Sequence, residues 1–238
     1  MMDAIRNARG ERLDFSFHPA AAGTTQIVVI GHGVTGQKDR PFLIALADGL
    51  AQAGIATLRV SFSGNGGSDG RFIDSNITKE VADLGSVLDA LAGFDVAYAG
   101  HSMGAAVGVL RASEDQRIRS LISLAGMVHV QAFAQRHFGG LTPDRDRMWD
   151  KPGCVLSTAY LEDLRRIDTV VDRAGRISVP WLFVHGNADT VVPLQDAQDA
   201  FARAREPKEL VVLEGCDHIW EPAFTPRMVA EVVRWLRR

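Results

Sequence analysis

The pattern Gly-x-Ser-x-Gly occurs twice in this chain, as GGSDG at 66–70 and as GHSMG at 100–104. A serine held between glycines on a sharp turn can attack a carbonyl carbon, provided that a base takes its proton and a carboxylate orients that base. In a chain with 23 glycines the pattern alone is weak, so the context of each copy decides. Ser102 directly follows the short apolar run DVAYA and precedes another, AAVGVL. That is strand, turn and helix, with the first N–H groups of the helix aimed at the turn. Ser68 sits in SFSGNGGSDGRF, well past a strand candidate and with no helical pattern after it. Its setting is that of a Gly-rich loop.

The acid and the histidine should follow the serine in the order Ser, acid, His, on loops after later strands. Of the seven histidines, His18 and His32 precede the serine, and His101 adjoins it with a diverging side chain. His129 and His137 fall in a long irregular region, and His185 ends a strand, where it belongs to sheet packing or the base of a loop. His218, in EGCDHIWEP beyond the last strand, is the base that remains, with a plain surface histidine as the alternative. Asp189, in VHGNADTVVP, is the candidate acid, with a turn residue as its alternative. Asp196, Asp199 and Glu206 read as a solvated helix face, and Asp217 points away from its neighbour. A tetrahedral oxyanion needs N–H donors as well. Met103, next to the serine, supplies one. Val34 in GHGVTGQKD supplies the other, because the surrounding glycines let that backbone turn inward. His32 is then scaffold.

These residues need a sheet to carry them. Runs at 25–30, 55–60, 95–99, 120–124, 179–184 and 209–213 are almost continuously apolar, as parallel strands covered on both faces must be. Helical periodicity lies between them at 41–53, 79–91, 103–113, 194–204 and 225–236. In 79–91, Val81, Leu84, Leu88 and Leu91 form one apolar face. Residues 12–17 alternate and suit an antiparallel edge strand. The alternation implies an α/β fold with a mostly parallel central sheet flanked by helices, one domain over 1–238. Residues 127–176 break the rhythm and read as a partly helical cap insertion over one end of the sheet. Phe133, Phe138, Trp149 and Tyr160 within it are candidates for lining a substrate pocket, or equally for the cap's own core.

Composition excludes several classes. With 46% hydrophobic residues the chain can build a full core without disulfide or metal staples. A net charge of −3 without a basic cluster argues against nucleic acid as partner. Cys154 and Cys216 stand far apart with no C-x-x-C, no apolar leader opens the chain, and nothing approaches a membrane span. A cytoplasmic protein without a cofactor is expected, and self-association into a homo-oligomer stays open. A metal site using His129, His137 and Asp144 or Asp146 lacks a recognised ligand spacing.

The motifs HGVTG, SFSGNGGSDG, GHSMG, VPWLFVHGNADTVVP and CDHIW, in this order, resemble those of the α/β-hydrolase superfamily. The chain is most similar to small bacterial carboxylesterases of the cinnamoyl/feruloyl esterase type and their serine-aminopeptidase-like relatives. The resemblance implies a cofactor-free serine hydrolase acting on small-molecule carboxylic esters. It places Ser102, Asp189 and His218 in the triad and Val34 and Met103 in the oxyanion hole, and it makes GGSDG a bracing loop. Ser61 replaces a frequent Asp, Asn65 a common His and Met103 a frequent Gln, so the cinnamoyl preference is not carried over. Thioesterase, peptidase and acyltransferase activity use the same machinery, and a non-catalytic binding protein could keep the fold.

Overall fold

The computed structural model describes residues 4–20 and 23–238; residues 1–3 and 21–22 of the expected domain lie outside the described part. Seven strands form one sheet: β1 (Asp14–His18), β2 (Gln26–Gly31), β3 (Ala56–Ser61), β4 (Asp95–His101), β5 (Ile118–Leu124), β6 (Trp181–Gly186) and β7 (Lys208–Leu213). Their spatial order is β1-β3-β2-β4-β5-β6-β7. Only the β1–β3 pairing is antiparallel, so β1 is the edge strand that its alternating sequence predicts. The helices are α1 (Pro41–Gln52), α2 (Ile77–Ala90), α3 (Met103–Ala112), α4 (Val130–Phe138), α5 (Thr158–Ile167), α6 (Val171–Ala174), α7 (Leu194–Arg203) and α8 (Thr225–Leu236).

Burial on both faces explains the apolar runs. In β2, Ile27 and Val29 join one core layer while Val28 and Ile30 join the other. In β6, Trp181 and Phe183 face the first layer, and Leu182 and Val184 the second. Helices α1 and α8 pack together over the second layer, through Leu43, Leu46 and Leu50 of α1 and Met228, Val232 and Trp235 of α8. Helices α2 and α3 cover the first. The start of α2 is fixed by Asn76, whose side chain accepts the Lys79 N–H at 2.8 Å.

The strands end in register at one edge. Gly31 of β2 lies beside Gly100 of β4, His101 beside Leu124 of β5, and Gly186 of β6 beside Leu213 of β7. The loops that leave this carboxyl edge carry Val34, Ser102, Asp189 and His218. Between β5 and β6 the chain makes α4, α5, α6 and a short 3₁₀ turn at Met148–Asp150, so the segment expected as a partly helical insertion is helical in those stretches.

Gly100 is where β4 and α3 meet most tightly. A β-carbon there would lie 2.3 Å from the Gly104 carbonyl oxygen and 2.6 Å from the Ala105 nitrogen, both main-chain atoms that cannot swing aside. Gly100→Ala is expected to lower stability in urea by about 1–3 kcal/mol or more. Gly140→Ala, where a β-carbon meets nothing within 4 Å, should change it by less than about 0.5 kcal/mol. Equal effects in the two variants would refute this account of the turn.

Candidate active site

Ser102 stands between β4 and α3 with φ 53° and ψ −119°, a conformation that L-residues rarely adopt. Its N–H donates to the Leu124 carbonyl at 3.0 Å, and its own carbonyl accepts from Ala105 and Met127 at 3.0 and 3.1 Å. The strained turn is therefore held from both neighbouring elements. Ser102 nevertheless opens onto a cavity of about 490 Å³, which it lines together with Val34, His101 and His218.

Asp189 lies in the loop after β6 with its side chain fully buried. One carboxylate oxygen accepts the N–H groups of Val191 and Val192, each at 2.8 Å. The other accepts from His218 Nδ1 at 2.7 Å and has His185 Nε2 at 3.4 Å. Burial on its own would raise this carboxyl's pKa, yet His185 and His218 beside it hold it well below the usual carboxylate range. An ionised Asp189 fixes the proton of His218 on Nδ1 and leaves Nε2 as a free acceptor. Among the described residues no hydrogen bond joins Ser102 to His218; the two share the wall of the cleft.

The loop after β2 approaches Ser102 closely because it is rich in glycine. A β-carbon on Gly33 would sit 2.8 Å from the Ser102 β-carbon. The Gly36 N–H closes a turn onto the Gly33 carbonyl at 2.9 Å, and Thr35 takes a positive φ of 55°. Val34 N–H, in this turn, and Met103 N–H, in the first position of α3, have no protein acceptor among the described residues. Lys151, from the segment between β5 and β6, donates to the Thr35 carbonyl and ties that segment to the loop.

The other histidines are also placed. His32 accepts the Phe62 N–H on Nε2 at 3.0 Å and donates from Nδ1 to the Gly33 carbonyl at 2.9 Å, so its neutral form is the one that fits. Burial pushes its pKa down to about 4. His185 is buried at the base of the Asp189 loop and donates to the Val192 carbonyl at 2.9 Å. The His101 side chain turns onto the histidine loop, and among the described residues it makes no hydrogen bond to Ser102. Its ring packs against His218, centroid to centroid 4.7 Å, and Nε2 donates to the His218 carbonyl at 3.0 Å. Burial first, and then the His218 charge, hold its pKa well below the ordinary value. His129 pairs with Asp199 at 2.8 Å and His137 with the Val191 carbonyl at 2.8 Å, while Asp144 and Asp146 accept from Thr158 and from Thr142 and Arg145. Among the described residues no three His, Cys, Asp or Glu side chains gather as a metal site would need.

The four candidate aromatics separate. Phe133 and Trp149 line the cleft, and Trp149 is half exposed. Phe138 and Tyr160 do not line it: both are buried, Phe138 packing edge-on to Trp149 at 4.8 Å and Tyr160 placing its hydroxyl 3.6 Å from the Met103 sulfur. Sequence could not tell them apart: Phe133 and Phe138 share one helix, α4, and Trp149 sits in a short 3₁₀ turn with no periodicity to read. The cleft also includes Arg40, Phe42, Lys151, Val191 and Ile219, none singled out in sequence. A usable signal existed for Phe42 and Arg40, since the loop after β2 runs straight into α1 at the same sheet edge. Ser68 is accounted for structurally. Its hydroxyl accepts the Asp14 N–H and donates to the Ser61 carbonyl, both at 2.7 Å, while Ser61 Oγ accepts from Lys38 N–H at 3.1 Å. The Gly-rich loop thus ties the sheet edge to the chain just after Val34.

Strained serine, buried carboxylate–histidine pair and parallel sheet together define an α/β hydrolase. The chain belongs to the serine aminopeptidase S33 family, whose model matches residues 22–143 and 143–220. Est1E from Butyrivibrio proteoclasticus, solved with ferulic acid bound, superposes with a TM-score of 0.85 at 25% identity, over 99% of this chain and 100% of that one. An esterase from Pyrococcus furiosus, Pf2001, shares the fold at a TM-score of 0.79 and 19% identity, over 99% of this chain and 91% of its own. In sequence, the protein YfhR of Salmonella typhimurium is 30% identical over 132 residues, 56% of this chain but only 38% of that protein. Among the described residues no helix is long and apolar enough to cross a membrane.

The neutral, doubly bonded His32 has a pH signature. Unfolded, a histidine binds its proton near pH 6.5; in this fold that happens only near 4. Between those values the unfolded chain holds more protons, so the stability His32 contributes is complete above about 6.5 and is lost as pH falls toward 4. Urea titrations across this interval should show His32→Asn losing less stability than the wild type, by about 2–4 kcal/mol. Identical slopes in the two proteins would assign the acid sensitivity elsewhere.

Proposed function

We propose that the protein is a serine esterase that cleaves carboxylic esters through an acyl-enzyme on Ser102. The observation that carries this reading is the 2.7 Å bond from His218 Nδ1 to a buried, ionised Asp189, in the same cleft as a strained serine. With Nδ1 committed to Asp189, Nε2 is the basic atom and takes the proton of Ser102 as its oxygen adds to the ester carbonyl. Catalytic hydrogen bonds of this kind commonly tighten only when substrate is bound. The oxyanion is received by the N–H groups of Val34 and Met103, with the first turn of α3 adding its positive end. His218 then returns the proton to the departing alkoxide. Water, activated in turn by His218, releases the acid and restores Ser102.

The segment 127–176 acts in this reading as a cap that walls one side of the cleft through Phe133 and Trp149, while Phe138 and Tyr160 build its core. The ferulic acid held by Est1E is an aromatic acid of a size such a cleft accommodates, which supports an ester substrate without fixing its acyl group. The family's description also admits amide bonds. A site able to expel an amine expels an aryloxide more readily, so activated esters report on either activity.

Purified wild type should hydrolyse p-nitrophenyl esters, with the rate profile from acetyl to dodecanoyl gauging the acyl pocket. Ser102→Ala, checked for folding, should lose about 10⁴–10⁶-fold in kcat. Equal rates in the two proteins would eliminate Ser102 as the nucleophile.

A further inference from the structure

A cation taken out of water is costly unless a partner compensates it. Among the described residues, the buried and half-buried Lys and Arg side chains follow that rule with one exception. Lys38, Arg59, Lys79, Arg111 and Arg173 each make an ion pair. Lys151 and Lys208 donate to main-chain carbonyls. Arg40 is half-buried and, among the described residues, has neither an ion pair nor a side-chain hydrogen bond. The carboxylate next to it in sequence, Asp39, is already taken by Lys38 and Arg59, each at 2.7 Å.

Arg40 also stands where two cavities meet. It lines the cleft of about 490 Å³ that holds Ser102 and His218, and an adjoining groove of about 570 Å³. Phe42 and Ile219 are common to both, and the groove continues over Ala45, Trp220 and Pro222. Two carboxylates face these spaces, Asp150 on the cleft and Glu221 in the groove. Both are exposed, and neither forms an ion pair with Arg40. The result is an apolar channel with an uncompensated guanidinium at its junction with the cleft.

We propose that Arg40 determines specificity by pairing with a carboxylate on the alcohol portion of the ester, which lies along this groove. The proposal rests on the esterase reading above. The side of the substrate follows from proton traffic: His218 must face the departing oxygen to protonate it, and Ile219 and Trp220, which wall the groove, follow His218 directly in the chain. The planar fork of arginine matches a carboxylate with two parallel hydrogen bonds, which a neutral isostere cannot accept with equal strength.

The test uses two isosteric esters, 3-acetoxybenzoate and 3-acetoxybenzamide. Wild type should favour the carboxylate in kcat/KM by about tenfold or more, the value of one charge-assisted hydrogen bond. Arg40→Gln should bring the ratio toward one, and Arg40→Lys should keep part of it, with urea unfolding verifying that both variants fold. Calorimetry on Ser102→Ala, with and without Arg40→Gln, measures the same ratio as affinity and needs no turnover. A carboxylate preference in binding that vanishes with Arg40, while wild type hydrolyses neither these esters nor any p-nitrophenyl ester from acetyl to dodecanoyl, would uphold Arg40 and contradict the esterase reading. Hydrolysis of both esters at equal rates, a preference that survives Arg40→Gln, or no binding of either ester would overturn the role of Arg40.

Discussion

The site depends on one strained backbone position. Strand β4 passes into α3 with no intervening loop, and the reversal is absorbed at Ser102, at φ 53° and ψ −119°. Such a conformation costs on the order of 1–3 kcal/mol and persists only where the surroundings over-determine it. Here they do, through hydrogen bonds to the end of β5 and the start of α3 and through contacts that only glycine permits at 33, 100 and 104. The same compression sets the Ser102 side chain at the cleft wall and leaves the Met103 N–H without a helical partner.

Asp189 and His218 come from the other half of the sheet, after β6 and β7, and the two halves are joined by more than proximity. His101, the residue before the serine, donates to the His218 carbonyl and packs against its ring at a tilt of 47°. On the opposite flank, Arg59 and Ser61 of β3 hold the chain at Lys38, just beyond the turn that carries Val34. These contacts determine position, and the chemistry is left to a few atoms.

Much of this was legible in the residues because the physics is local. Two-sided burial makes parallel strands continuously apolar, and a serine between a strand end and a helix start differs from a serine in a glycine-rich loop. The order of Asp189 and His218 along the chain followed from the sheet's winding. What stayed hidden depends on side chains meeting across the fold. His101 could be placed beside Ser102 but not turned onto His218. The four aromatics of 127–176 divided into cleft-lining and buried ones only once α4 and α5 were packed. The state of Arg40 is the clearest case, since Asp39 beside it looks like its partner until Arg59, brought over from β3, claims that carboxylate. An uncompensated charge is a property of three-dimensional neighbours, and no run of sequence displays it.

The claim that Ser102 is the activated nucleophile is tested most directly by a fluorophosphonate, which reacts with a serine only where a base and an oxyanion site act on it together. The wild-type protein should gain one adduct by intact mass, mapped by peptide sequencing to GHSMG, and His218→Ala should slow its formation by orders of magnitude. An adduct on GGSDG, or none on a folded protein, would contradict the account.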